Sequence, residues 1–271
     1  LSGEKGIGKS TLAYHLINLV LSENEEHTYD YENNIINSDN KSYKLIQNKS
    51  NPNFHLIDVL EDKKNIDINQ IRELIINLNK SSFNKKKRFV LIDNIELLNL
   101  NSINALLKIL EEPNNNIYFI LINNNRSILH TLKSRCLEFK IFLTNNESSE
   151  ICKKLLGKRV EEIINQDLLD YYYTPGKILN LVEFANENSI DLAKLQLKEF
   201  LLLIISKNFY KKNILIQDFL LDYFELFLMK NNTFDSNNFY EYFIRQYSNV
   251  KKYNLDEESF FIEFKEKLLH V

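Results

Sequence analysis

Glycine is so scarce in this chain that its placement constrains the fold more than any other feature. Of five glycines in 271 residues, three are Gly3, Gly6 and Gly8. With their neighbours they spell Gly3-Glu4-Lys5-Gly6-Ile7-Gly8-Lys9-Ser10, which fits G-x-x-x-x-G-K-S/T. Glycines at this spacing let backbone N–H groups close around phosphate oxygens; the lysine reaches the β and γ oxygens, and the hydroxyl can ligate Mg²⁺. The pattern from Ser10 onward is helical, with Leu12, Leu16, Leu19 and Val20 on one face. The loop therefore opens a helix, whose positive end also favours anions. Such a loop follows a strand. Because the chain starts at Leu1, immediately before the loop, that strand is expected upstream and the N-terminus is expected to be truncated.

The next stretches alternate in period. Residues 22–52 are polar and read as a long loop or an insertion. Residues 54–60 look like a strand. Asp67 and Gln70 have capping-box spacing ahead of a helix with Ile68, Ile71, Ile75 and Leu78 on one face. Residues 89–92 form a continuous apolar run ending in Asp93, as in a buried parallel strand. A helix is expected from Asn101 or Ser102, with Ile103, Leu106, Leu107 and Leu110 at i, i+3, i+4, i+7 and Pro113 as its stop. Residues 117–122 read as another buried strand and 137–141 as a short one. This alternation indicates an α/β domain with a parallel sheet over 1–141.

Beyond residue 142 only helical periodicity is found, interrupted at Thr174-Pro175-Gly176. A small helical domain is expected over 142–190 and a second one, rich in Phe and Tyr, over 191–271. Its aromatics, among them Phe200, Phe219, Tyr223, Phe224 and Phe227, are expected in a core. The net charge of −3 implies no broad basic surface. The strongest basic cluster, Lys85-Lys86-Lys87-Arg88, reads as a solvated lead-in to a strand. Two cysteines, Cys136 and Cys152, exclude a disulfide scaffold and a four-cysteine zinc site, and fit reduced thiols in a cytoplasmic protein. The residues show no signal-peptide pattern and no membrane-length apolar run, so no membrane span is expected.

A strand-end carboxylate such as Asp93 is where a phosphate-loop protein places its second Mg²⁺-associated group. The following residue would activate water in an efficient ATPase. Here it is Asn94, whose amide cannot act as a general base. Glu96, two residues on, is the available substitute. Asn123, after the strand at 117–122, would lie near a γ-phosphate or be an ordinary loop residue. In Ser134-Arg135-Cys136 the arginine forms either a plain salt bridge or a contact to a neighbouring subunit's nucleotide. His15, His27, His55, His130 and His270 lack metal-ligand spacing.

The order of these features resembles the AAA+ clamp-loader family, and within it the delta-prime type of bacterial DNA polymerase III subunit. The resemblance is carried by residues 3–12, 51–58, 68–74 and 90–93, by Asn104-Ala105-Leu106-Leu107-Lys108-Ile109-Leu110-Glu111-Glu112-Pro113, and by Ser134-Arg135-Cys136. It is weaker at Thr174-Pro175-Gly176-Lys177 and fades beyond. It implies an AAA+ module over 1–141, a helical lid over 142–190 and an all-α collar over 191–271. It implies a nucleotide site of Gly3, Glu4, Lys5, Gly6, Ile7, Gly8, Lys9, Ser10, Thr11, Asp93, Asn123 (sensor 1) and Lys177 (sensor 2), with Mg²⁺ on Ser10 and Asp93 through ATP. Arg135 would be an arginine finger acting in trans. The implied partners are the gamma/tau and delta subunits, the sliding clamp and primed DNA, in a hetero-oligomer that loads the clamp during replication.

Three departures qualify this. Residues 22–52 contain no Cys, so the zinc module of many relatives is missing and no zinc is expected. Lys177 replaces an Arg, and Asn94 stands at the catalytic Glu position. The last favours a stationary subunit with little ATPase activity of its own over the alternatives, a motor-type AAA+ ATPase or a P-loop small-molecule kinase.

Overall fold

The computed structural model describes residues 1–60, 63, 65–80, 86–111, 116–169, 172–209, 214–230, 237–253 and 255–269. The expected helix stop at Pro113, Lys85 of the basic run, and His270 fall outside them. The chain divides into two compact units, Leu1–Leu143 and Thr144–Val271.

The first unit is an α/β layer structure. Three parallel strands, β1 (Phe54–Ile57), β2 (Arg88–Ile92) and β3 (Ile117–Leu121), form a sheet in that order. Phe54 pairs with Phe89, and Arg88 with Ile117. Val90, Leu91 and Ile92 are fully buried, as a strand covered on both faces requires. The expected strand at 137–141 is reduced to a single parallel bridge, Ser2 to Lys140. The Ser2 N–H donates to the Phe139 carbonyl and the Ile141 N–H to that of Ser2 (2.9 and 2.7 Å).

Helix α1 (Lys9–Leu21) follows the loop. Its buried face is Lys9, Ala13, Ile17 and Leu21 rather than the expected leucines; Leu12 and Leu16 are 40% and 43% exposed. Ala13, Ile17 and Leu21 form an i, i+4 row that packs with Phe89, Leu91 and Ile122 of the sheet region. Residues 22–52 are not a simple loop. They contain α2 (Lys41–Gln47), capped by Asn40, whose side chain accepts from the Tyr43 N–H. Asn40 is fully buried and exchanges amide hydrogen bonds with buried Asn18 (3.2 and 3.4 Å). Polar composition misled here because paired amides satisfy one another inside the protein. Helix α3 (Ile68–Asn79) carries the expected Asp67–Gln70 capping box. Helix α4 (Leu100–Glu111) buries Ile103 and Leu106 against α3 and the sheet, and the short α5 (His130–Lys133) follows.

The second unit is helical: α6 (Asn145–Leu156), α7 (Val160–Ile163), α8 (Pro175–Glu187), α9 (Leu197–Ser206), α10 (Ile214–Lys230), α11 (Asn237–Tyr253) and α12 (Glu257–Leu269). Thr174 is the N-cap of α8, and Pro175 opens it, where a missing N–H costs nothing. One apolar core runs from Cys152 through Leu181 to Phe200, Phe224 and Phe264. Phe200, Tyr223, Phe224 and Phe227 are buried as expected of core aromatics. Among the described residues no helix is long and apolar enough to cross a membrane.

Candidate functional site

The glycine loop lies at the end of the sheet. Residues 1–3 run beside the C-terminal end of β3: the Leu1 N–H donates to the Leu121 carbonyl (2.7 Å), the Asn123 N–H to that of Leu1 (2.9 Å), and the Gly3 N–H to that of Asn123 (3.2 Å). Gly3 has to be glycine, because a Cβ there would meet the Ile141 carbonyl oxygen at 2.3 Å. Gly8 is the N-cap of α1 at φ 89°, a left-handed conformation that glycine adopts without strain. Ile7 is buried beneath the loop, while Glu4, Lys5 and Thr11 are exposed on it. The first helical bond is from the Leu12 N–H to the Gly8 carbonyl. The N–H groups of Lys9, Ser10 and Thr11 precede that ladder, at the positive end of the helix.

Lys9 is 3% exposed and donates its ammonium to the carbonyls of Gly3 (2.9 Å) and Glu4 (2.5 Å), closing the loop upon itself. Burial lowers its pKa, against the pull of the Asp93, Glu96 and Glu4 carboxylates. The Ser10 hydroxyl donates to Asp93 Oδ2 (2.5 Å), so the expected pair meets at the end of β2. Burial raises the Asp93 carboxyl above its ordinary value; the Ser10 bond opposes this and the Asp58 charge adds to it.

Asp58 and Asn124 complete the site, and neither stood out in the sequence. Asn94, in the left-handed region at φ 55°, donates its amide to Asp58 Oδ1 (2.8 Å) and accepts from Asn124 Nδ2 (2.7 Å). Asn124 Nδ2 also donates to Glu96 Oε1 (2.9 Å), and its backbone N–H to Glu96 Oε2 (3.3 Å). A chain of side chains, Asp58–Asn94–Asn124–Glu96, thus ties the ends of all three strands together. The pattern that could have flagged Asp58 is the one that flagged Asp93, a carboxylate directly after an apolar strand. Asn124 carried no signal among its asparagine neighbours. Asn123 is placed differently: its amide donates to the Arg126 carbonyl (2.9 Å) and its Oδ1 accepts the Arg126 N–H (3.3 Å), closing its own loop.

These residues fit a nucleotide phosphate. The loop glycines, the free N–H groups of the first helical turn and the buried ammonium supply an anion cradle. Ser10 and Asp93 supply two oxygens for Mg²⁺. Among the described residues no group of three or more His, Cys, Asp or Glu side chains is placed to hold a metal, so a Mg²⁺ on Ser10 and Asp93 would draw its other ligands from phosphate and water.

The raised Asp93 carboxyl carries a pH signature. Below the ordinary value of 3.8 the group is protonated in both states; as pH rises through the window up to its folded pKa, the folded state loses stability relative to the unfolded chain. Asp93→Asn removes that loss, so it is expected to stabilise the chain more at about pH 7 than at about pH 4. Urea denaturation of both proteins at the two pH values checks this; an equal difference at both would be contrary to it.

Arg135 lies elsewhere on the first unit, just after α5. Its Nη2 forms an ion pair with Glu111 Oε1, and its Nη1 donates to the Thr131 carbonyl (2.7 Å). Lys177, in the second unit at the start of α8, pairs with Asp222 of α10 (2.7 Å). Both cysteines are free.

A glycine loop that opens a helix, with its serine on an aspartate at the end of a parallel strand of the sheet, defines a P-loop α/β protein. Residues 1–144 match the family described as "DNA polymerase III, delta subunit", and the chain belongs to that family. It is 30% identical over 139 residues to DNA polymerase III subunit delta' of Pseudomonas aeruginosa, covering 51% of this chain and 40% of that one. It is 31% identical over 195 residues to DNA polymerase III subunit gamma of Buchnera aphidicola subsp. Acyrthosiphon pisum, covering 68% and 50%. The chain thus spans half or less of the length of these relatives. Among solved structures, a DNA polymerase III gamma subunit-related protein of Thermotoga maritima aligns over 79% of this chain and 83% of its own, with 19% identity and a TM-score of 0.48.

Proposed function

We propose that this chain is a delta-prime-type clamp-loader subunit that acts in the cytoplasm, within a hetero-oligomer, in the ATP-dependent loading of a sliding clamp onto primed DNA. It holds ATP and Mg²⁺ weakly or as a structural ligand, with Gly3, Gly6, Gly8, Lys9, Ser10 and Thr11 around the phosphates and Asp93 beside the metal. Its partners are the gamma/tau and delta subunits. Residues 142–190 serve as the lid and 191–271 as the collar through which the subunits assemble. Arg135 acts in trans on the ATP of an adjacent motor subunit.

The observation that carries this reading is Asn94. It stands where the water-activating carboxylate of an ATPase belongs, and its amide is bonded on both sides, to Asp58 and Asn124. An amide so placed positions neighbours and cannot take a proton. A motor-type ATPase is supported only by Glu96, which faces the same network; both its oxygens already accept from Asn124. A small-molecule kinase leaves Arg135, at the surface, without a role. For Lys177 to reach a nucleotide as sensor 2 it would have to leave Asp222, and for Asn123 to act as sensor 1 it would have to open its bonds to Arg126.

The purified chain is expected to turn over ATP far more slowly than about 1 per second, the lower end of ordinary enzyme rates. Turnover at or above that rate would sink the stationary-subunit reading. Co-purification with gamma/tau and delta tests the assembly directly, and failure to assemble with either would exclude it.

A further inference from the structure

Arg135 is held from two sides, by a carboxylate on α4 and a backbone carbonyl in α5. The carboxylate of Glu111, on α4, faces Nη2. On the other side, Nη1 donates to the Thr131 carbonyl within α5 and reaches the Ser134 hydroxyl at 3.5 Å. A guanidinium offers five N–H donors in one rigid plane. These bonds engage Arg135 through Nη1 and Nη2 and leave the Nε–H outside them. The side chain is 31% exposed, so the plane is fixed while part of the fork remains reachable from outside.

We infer that Glu111 is a positioning residue for Arg135. It sets the plane of the guanidinium so that the remaining N–H groups meet the γ-phosphate of a nucleoside triphosphate on a neighbouring subunit. This rests on the trans reading of Arg135 given above. A free arginine loses its rotamer freedom on meeting phosphate; in this protein Glu111 and Thr131 have already restricted it. The Glu111 carboxylate does not bury the fork, because the ion pair occupies one edge of it.

The test is steady-state ATP hydrolysis by the assembled complex. Glu111→Ala is expected to lower kcat about 2- to 5-fold, the rate equivalent of an exposed Arg–carboxylate pair, with KM unchanged. Glu111→Gln, which keeps an acceptor at Oε1, retains more activity than Glu111→Ala. In an Arg135→Ala background Glu111→Ala has no further effect, because the two act as one unit. A wild-type kcat in Glu111→Ala, or the same loss in both backgrounds, overturns the positioning role. If Arg135→Ala alone leaves kcat unchanged, the trans reading fails and this inference with it; if Arg135→Ala cuts kcat and Glu111→Ala does not, only the positioning role fails.

Discussion

Arg135→Ala is expected to cut ATP turnover of the assembled complex by about 10³-fold, the lower end of what arginine fingers contribute to phosphoryl transfer. That corresponds to ~4 kcal/mol of transition-state stabilisation. The loss belongs in kcat, since charge on the equatorial phosphoryl oxygens is met most strongly in the transition state. Assembly itself should be spared. Arg135 holds no core packing: its partners are Glu111, 52% exposed, the Thr131 carbonyl and the Ser134 hydroxyl. An exposed pair of this kind contributes only ~0–1 kcal/mol to stability. Gel filtration of the complex alongside the ATPase assay separates the two effects. Unchanged turnover would rule out a trans role; loss of the complex would show that Arg135 acts in assembly instead.

Phe224→Ala is expected to destabilise the helical unit by ~3–5 kcal/mol, the usual cost of emptying a fully buried phenylalanine site. Phe224 is 1% exposed. Its ring meets Phe243, Phe260 and Phe264 at centroid distances of 5.9, 5.7 and 4.3 Å, so helices α10, α11 and α12 share it. Alanine would leave a cavity lined by three rigid rings that cannot collapse without moving helices. Chemical denaturation followed by far-UV circular dichroism measures this. A loss below ~1.5 kcal/mol would mean that the aromatic cluster repacks.

Much of this architecture was legible in residue order. The α/β half was readable because β2 is a continuous apolar run and α3 has both its capping box and its apolar row. The phosphate loop was readable because three of five glycines fall in it. What misled was composition taken as conformation. Residues 22–52 looked like a long loop or an insertion because they are polar; they hold α2, and Asn40 buries its amide against Asn18 of α1. The leucines of α1 looked like its inner face, yet the buried row is Ala13, Ile17 and Leu21, in line with Lys9.

The site divides along the same line. Sequence alone determined that a phosphate loop opens a helix, that Asp93 ends a buried strand and that an amide, Asn94, follows it. Those are local facts, set by side-chain chemistry at fixed spacing along one backbone. Tertiary structure decided which of them meet. It brought Ser10 to Asp93 and strung Asp58, Asn94, Asn124 and Glu96 across three strand ends. It turned Asn123 toward Arg126 and set Arg135 against Glu111. Parallel strands bring residues far apart in the chain to one edge of the sheet. Which asparagine or carboxylate faces its neighbour there depends on register and loop geometry, and neither is written at any single position of the sequence.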